Sequence, residues 1–350
     1  MKKGWETKKL VDVATLQRGF DLPTQDRSSG DVPLVTSSGI SDTVSKSAIH
    51  GPGVATGRSG SIGNVFFIDE DFWPLNTVLY VKDFHGNDPR FVFHLLKNFD
   101  LKRFATGAGV PTLNRNFVHD ELVNVPPLPE QRRIVGILDD AFAGLATAKA
   151  NAEKNLQNAR ALFDSHLQAV FSKRGKGWVE MPFEECVEDV KYTQKIQRKD
   201  FLAKGKFPIV SQESDFTNGY WNNAADVFKV TKPIVIFGDH TQVLKYIDFD
   251  FVLGADGVKL LPPKPFLNPK FFFYALRAAP LKSLGYARHY RLLKELQIGY
   301  PDTNTQIAIT QKLDSLQAET TRLAAIYQQK LGALEALKKS LLHQAFTGNL

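Results

Sequence analysis

Two halves of this 350-residue chain repeat one another at a spacing of about 175 residues, which limits the possible folds more than any other feature. Gly4-Trp5 opens the first half and Gly177-Trp178 the second. Pro33-Leu34-Val35 is matched by Pro208-Ile209-Val210. Gln131, Ile134, Leu138 and Asp139 return as Gln306, Ile309, Leu313 and Asp314, and Ser165, Leu167 and Phe171 return as Ser340, Leu342 and Phe346. A period this long denotes a duplicated domain followed by a duplicated helix rather than a solenoid of short repeats.

Each half begins with a globular stretch. In the first, residues 32–35, 65–68 and 78–81 are β-branched and aromatic runs between Gly, Ser, Asp and Pro punctuation, and residues 91–97 read as a helix. In the second, residues 208–210, 234–237 and 257–261 echo the strands, and residues 271–277 echo the helix. Val125-Pro-Pro-Leu-Pro129 closes the first stretch and Tyr300-Pro301-Asp302 the second. Proline stiffens both junctions.

A long helix follows each junction. From Glu130 to about Ser172 there is no proline, and Ile134, Leu138, Phe142, Leu145, Ala148, Ala152, Leu156, Ala159, Phe163 and Val170 keep a three-then-four spacing. From Gln306 to Phe346 the same seam runs through Ile309, Leu313, Leu316, Leu323, Tyr327, Leu334, Leu337, Leu341 and Ala345. About 40 residues make a rod of roughly 60 Å, too long to lie on one domain of this size. The two helices are expected to pair with each other. Antiparallel pairing is favoured, because parallel pairing would require the second domain to span back along the rod. Ala141, Ala143, Ala146, Ala148, Ala150 and Ala152 would permit close approach. The expected fold class is α+β: two similar mixed α/β domains, residues 1–127 and 176–301, separated by two long helices, 128–175 and 302–350, packed as an antiparallel coiled coil.

Composition narrows the setting. With 43% hydrophobic and 23% charged residues the balance is that of a soluble globular protein. No apolar run approaches the roughly 20 residues that cross a bilayer. Met1-Lys2-Lys3-Gly4-Trp5-Glu6 leads into no apolar signal region, and the single Cys186 can form no internal disulfide or thiolate zinc cluster. A cytoplasmic protein without a membrane partner is expected. The net charge is +7, but residues 1–127 carry 14 basic and 14 acidic side chains, while residues 176–300 carry 18 and 14. So mild an excess implies a local nucleic-acid surface or a partner that supplies phosphate attraction.

No chemistry of an enzyme centre stands out. Gly57-Arg-Ser-Gly-Ser-Ile-Gly63 lacks the lysine of a phosphate-binding loop, no Asn-Pro-Pro-aromatic motif of an amino-methyltransferase occurs, and no histidines show metal spacing. What recurs is polar sequence between strands. In the first half it comprises Thr36, Ser37 and Ser38, then Arg58, Ser59 and Ser61, then Asn114, Arg115 and Asn116. In the second it comprises Ser211 and Gln212, then His240, Thr241 and Gln242, then Arg288, His289, Tyr290, Arg291 and Lys294. Arg, Asn, Gln, Ser and Thr pair with base edges, and Lys and Arg neutralise phosphates. The two sets differ in residue type, as expected if each domain reads a different sequence. Duplicated units also suit duplex DNA, whose backbone has two-fold axes. Trp5, Trp178 and most of the 26 phenylalanines are expected in cores, whereas Trp221 and Tyr290 are candidate contacts.

Pro126-Pro-Leu-Pro-Glu-Gln-Arg-Arg-Ile134 resembles the segment that opens the conserved helix in the specificity (S) subunits of type I restriction-modification systems. Gly4-Trp5 with Leu10 resembles the opening of their target recognition domains. Gly238-Asp-His-Thr241, Gly254-Ala-Asp-Gly257, Arg288-His-Tyr-Arg291 and the closing Leu342-His-Gln-Ala-Phe-Thr-Gly-Asn-Leu350 resemble further stretches of that family. The resemblance covers the whole chain, although Tyr300-Pro-Asp-Thr-Asn-Thr-Gln306 lacks the double proline and glutamate of the first junction.

This likeness implies a non-catalytic subunit for sequence-specific recognition of double-stranded DNA. Each recognition domain would read one half of a bipartite target. The helices would set the spacer and dock two methyltransferase (M) subunits through Pro127, Pro129, Glu130, Gln131, Arg132, Arg133 and Gln306, the two junctions unequally. Motor-nuclease (R) subunits would join for cleavage. S-adenosylmethionine, ATP and Mg would belong to those partners, with no cofactor or metal on this chain. The competing class is a coiled-coil structural scaffold carrying two protein-binding domains. It explains the helices and the duplication, but not the Arg/His/Gln-rich loops at matching places.

Overall fold

A computed structural model describes residues 3–107, 111–255, 257–282, 284–285 and 287–350. Among these the α-helices are α1 (Pro89–Asn98), α2 (Arg115–His119), α3 (Leu128–Lys173), α4 (Phe183–Cys186), α5 (Pro269–Ala278), α6 (Tyr290–Lys294) and α7 (Thr303–Thr347). The chain divides into two compact units, Met1–Glu153 with Gln328–Leu350, and Lys154–Tyr327. Each unit therefore contains one globular stretch and a part of both long helices.

In the first unit, strand Glu6–Lys9 pairs antiparallel with Leu122–Val125, joining the two ends of the globular stretch. Gly53–Gly57 is buried at all five positions because it is central, between Val65–Ile68 and Val78–Asp83. Thr15–Arg18 lies beyond the latter. A second sheet orders Gly39–Val44, Val32–Thr36 and Trp73–Pro74, the last pair parallel. The second unit repeats this plan. Val179–Pro182 pairs with Gln297–Tyr300. Ile234–Gly238, again buried throughout, lies between Leu244–Ile247 and Val258–Leu261. Phe207–Val210 runs parallel to Phe251–Gly254.

Helices α1 and α5 form for the same local reasons. Asp88 caps α1 by accepting the Arg90 and Phe91 amides, and Asn268 caps α5 by accepting those of Lys270 and Phe271. Pro89 and Pro269 occupy the first turn, where a missing N–H costs nothing.

The seams of α3 and α7 are antiparallel in each unit. In the first, Ile134 and Leu138 share a core with Leu342, Ala345 and Phe346; Lys338 lies over the Phe142 ring, and Lys149 pairs with Glu335 at 2.8 Å. In the second, Phe163, Leu167 and Phe171 share a core with Ile309, Leu313 and Leu316. The 175-residue shift thus exchanges the two helices: Leu138 with Leu342 becomes Leu313 with Leu167. Not every seam residue expected from spacing is inside. Leu337 is 48% exposed, and Ala143, Ala146 and Ala150 face solvent. The buried stripe of an antiparallel pair is narrow, and these residues lie to the side of it. Trp5 is buried and Trp178 half-buried against Phe171 and Phe271, so both belong to cores.

Candidate nucleic-acid interface

In the first unit the polar turns converge where parallel segments end. Phe20 bridges Leu75 in parallel, and Val32–Thr36 runs parallel to Trp73–Pro74, so Asp21, Ser37 and Asn76 follow neighbouring strand ends. Gly57 lets a third turn approach. A Cβ there would sit 2.1 Å from the Ser61 carbonyl oxygen and 3.1 Å from that of Ser37. Arg58 donates from its guanidinium to the Asn76 carbonyl at 3.3 Å, and Asn76 in turn donates to Asp21. Ser59 bridges Thr112, and the Leu113 amide donates to the Arg58 carbonyl at 2.7 Å. This places Asn114, the cap of α2, with exposed Arg115 and Asn116, beside the same cluster. Thr36 is tied to its own turn through bonds to Ser38 and Gly39, each 3.0 Å.

The second unit builds the matching cluster with different side chains. Lys195–Ile196, Phe207–Val210 and Phe251–Gly254 are parallel, and their ends deliver Arg198, Gln212 and Ala255. Gly238 takes the place of Gly57. A Cβ there would lie 2.2 Å from Thr241 Oγ1 and 2.9 Å from the Gln212 carbonyl oxygen. The Gln212 side-chain oxygen accepts the His240 amide at 3.1 Å, and its carbonyl accepts Thr241 Oγ1 at 2.5 Å. Gln242 adopts φ +59° and donates to the Lys282 carbonyl at 3.1 Å. Buried Asp239 accepts the Tyr290 amide at 2.8 Å, holding the start of α6 against this turn. Tyr290 packs edge-on to Phe183, with Lys259 5.0 Å from its ring. Arg288 and Arg291 are exposed, and Lys294 pairs with Glu184 at 2.6 Å.

Two expected contacts are corrected by burial. His289 is 1% exposed: its Nε2 accepts the Leu284 amide at 3.0 Å, so Nδ1 carries the proton that it gives to the Asp239 carbonyl. Ser211 is buried, and its hydroxyl accepts the Glu213 amide. Trp221 directs its indole N–H to Asp226 at 2.8 Å. The side chains of His289 and Ser211 are consumed within their loops, and half-buried Trp221 spends its N–H there too. Asp256, within the Gly254–Gly257 motif, lies outside the described residues.

Arg18, Asn76, Arg198, Asp239 and Lys259 belong to the clusters but were not expected there. Long-range pairing brings most of them in, parallel for Asn76 and Arg198 and antiparallel for Arg18 and Lys259. Asp239, however, sits inside the Gly238-Asp-His motif, which was a usable signal. Lys245 is also unexpected: an ammonium 3% exposed, donating to the Asp215 carbonyl at 2.5 Å and to Asn218 at 3.3 Å. Burial pushes it down to about 8, against the pull of Glu213 and Asp215. Among the described residues no His/Cys/Asp/Glu group is arranged to hold a metal ion, and no helix is long and apolar enough to cross a membrane.

The type I restriction modification DNA specificity domain matches residues 2–156. A protein described as a type I specificity subunit, from Mycoplasma pneumoniae, is 24% identical over 331 residues, spanning 89% of this chain and 88% of its own length. The EcoR124I/EcoR124II specificity subunit of Escherichia coli is 28% identical over 111 residues, 29% of this chain and only 27% of that protein. In fold, the chain matches a solved chain of a type I R-M system with a TM-score of 0.80 at 19% identity, covering 100% of this chain and 99% of the other. It also matches the HsdS subunit of Thermoanaerobacter tengcongensis with a TM-score of 0.63 at 20% identity, covering 100% and 98%. Residues 2–156 thus match the type I specificity domain, and the chain as a whole is similar to type I specificity subunits.

In this chain the domain–helix junctions hold a duplicated device. Gln131 is buried at the start of α3. Its oxygen accepts the Asp88 amide at 2.9 Å, and its NH2 donates to Asn87 at 2.7 Å and to the Pro126 carbonyl at 2.9 Å. Gln306, fully buried at the start of α7, accepts the Asn268 amide at 2.7 Å and donates to the Phe266 and Pro301 carbonyls. Both glutamines thus fasten a long helix to the capped end of the short helix beside it. The expectation that Gln131 and Gln306 contact a partner is therefore corrected: their polar atoms are consumed internally. About two turns further on, Asp139 binds His94 at 2.9 Å and Arg90 at 3.2 Å, and Asp314 binds Tyr274 at 2.5 Å and Lys270 at 3.1 Å. Pro127, Pro129 and Arg132 remain exposed. Arg133 pairs with Glu130 and donates to the Leu350 carbonyl.

Proposed function

We propose that each unit of this specificity subunit reads one half of a bipartite duplex target, and that α3 and α7 fix the gap between the halves. The observation that carries this reading is the 175-residue shift. It places Gln212 where Ser37 stands and exchanges the two helices in the seam, as a pseudo-two-fold reader of a two-fold backbone requires. The clusters share a frame but not side chains: Ser37, Arg58 and Asn114 in one stand where Gln212, Asp239 and His289 stand in the other. Such substitution on a fixed frame suits two different half-sites.

Two methyltransferase subunits would dock on the helices and the exposed parts of the junctions, and a motor-nuclease subunit would join for cleavage. S-adenosylmethionine, ATP and Mg would act in those partners. The chain would supply the address in the cytoplasm rather than the chemistry. Arg58→Ala in the assembled enzyme tests the reading through long-read mapping of methylated sites. Discrimination at one or two positions of one half should relax by about 1–3 kcal/mol, with the other half unchanged. Uniform weakening over all sequences would reassign Arg58 to a phosphate, and changes in both halves would contradict one unit per half.

A further inference from the structure

The charge of the second unit is concentrated in one segment, of which the turn cluster includes only Arg198. Residues 191–206 carry Lys191, Lys195, Arg198, Lys199, Lys204 and Lys206 against the single acid Asp200. All six cations are exposed. Arg198 pairs with Glu213 at 2.9 Å, but among the described residues no carboxylate forms an ion pair with any of the five lysines. Like charges this dense repel one another, so without a polyanionic partner they cost stability.

The segment is held rigidly beside the candidate interface. Ile196 is buried, and its carbonyl accepts the Ala255 amide at 2.7 Å. Leu202 and Tyr220 exchange backbone hydrogen bonds of 3.1 and 2.8 Å. Phe201 fits against Gly219 and Gly254, where added Cβ atoms would lie 2.9 and 3.2 Å from it. The Lys206 amide donates to Asn222 at 3.0 Å. The backbone is therefore fixed while the side chains project. Through Arg198 and Glu213 the segment adjoins the turn that carries Gln212.

The first unit has the same backbone without the charge. Its 3-10 turn Thr24–Asp26 occupies the place of Arg198–Asp200. Residues 16–31 hold Arg18 and Arg27 against Asp21, Asp26 and Asp31. Arg18 is bound to Asp21 at 3.1 Å, and Arg27 donates to the Leu22 carbonyl. One unit thus presents a net +5 strip and the other a net −1 segment in matching positions.

We propose that residues 191–206 form a phosphate-binding strip that makes the second recognition unit the salt-sensitive anchor on duplex DNA, a role its counterpart in the first unit lacks. This rests on the DNA-reading assignment above. The strip would follow the backbone next to the half-site that the Gln212–His240 cluster reads, and it would add affinity without adding sequence preference.

The test is fluorescence anisotropy of a mixed-sequence 40-base-pair duplex with the full chain, purified with the subunits it retains, between 50 and 200 mM NaCl. Lys191→Gln, Lys199→Gln and Lys204→Gln together should lower the slope of log K against log salt by about 0.9 per lost phosphate contact. Over a fourfold salt range, the wild type should then lose roughly 40-fold more affinity than the triple variant. Lys312→Gln, Lys330→Gln and Lys339→Gln on α7 form the charge-matched control and should leave the slope unchanged. A steep wild-type slope that the strip variant retains would overturn the strip alone. A wild type that binds no duplex at 50 mM NaCl would overturn both the strip and the DNA-reading assignment beneath it.

Discussion

Replacing Gln131 by alanine removes three buried hydrogen bonds at one point. It strands the Asp88 N–H, the Asn87 side-chain oxygen and the Pro126 carbonyl. An unpaired buried donor costs about 1–3 kcal/mol. Acceptors cost less because each keeps a second lone pair, so the local loss should be roughly 2–4 kcal/mol. Because the bonds join α3 to the capped start of α1, the loss should appear there first. Amide hydrogen exchange of the peptide spanning residues 88–96 should accelerate roughly 30- to 700-fold, at tenfold per 1.4 kcal/mol. Gln306→Ala should do the same to residues 268–276, and neither variant should move the other unit's peptide by more than a few-fold. Gln131→Glu should not rescue. Its carboxylate still accepts the Asp88 amide, but it presents oxygen to the two acceptors that need a donor. Exchange in residues 88–96 unchanged in Gln131→Ala, or accelerated equally in both units, would refute the idea that each glutamine fastens its own unit.

Two further outcomes follow from buried ionisable groups. Lys245 has its folded-state pKa below the unfolded value, so the unfolded chain holds more protons between about 8 and 10.5. Stability of the second unit should therefore rise with pH across that window, by an amount on the order of 3 kcal/mol at most, and Lys245→Met should flatten urea-unfolding midpoints measured from pH 8 to 10. Burial pushes the Cys186 thiol up to about 11, so 5,5′-dithiobis(2-nitrobenzoate) at pH 8 should label it only as the second unit opens; rapid labelling of folded protein would show that its surroundings are wrong.

Much of this architecture is legible in residue order because local rules act at every scale that the repeat preserves. The strands around Phe66 and Val235 and the helices over residues 91–97 and 271–277 need only neighbouring residues to be recognised, whereas the central strand around Val54 goes unread among its glycines. The sites are less legible. Polar type alone does not distinguish Gln212, which borders the candidate surface, from Gln131 and Gln306, whose amides are enclosed by backbone acceptors. His289 and Arg288 are adjacent in sequence but differ in fate, since the Asp239 carbonyl draws only the imidazole inward. Arg18 and Arg198 enter their clusters through pairing of distant segments, antiparallel for the first and parallel for the second, and such register leaves no mark on a single sequence. On the helices, Leu337 fits the spacing but lies off the narrow stripe that two antiparallel helices bury.

The reading of a divided target depends most on α3 and α7 acting as a spacer of fixed length. Deleting one turn, four residues, from the middle of both helices shortens each by about 6 Å, against 3.4 Å per base step. Long-read mapping of methylation in cells carrying the altered enzyme should then show both half-sites unchanged and the gap between them shorter by one or two base pairs. Methylation that persists at the original gap would contradict the account.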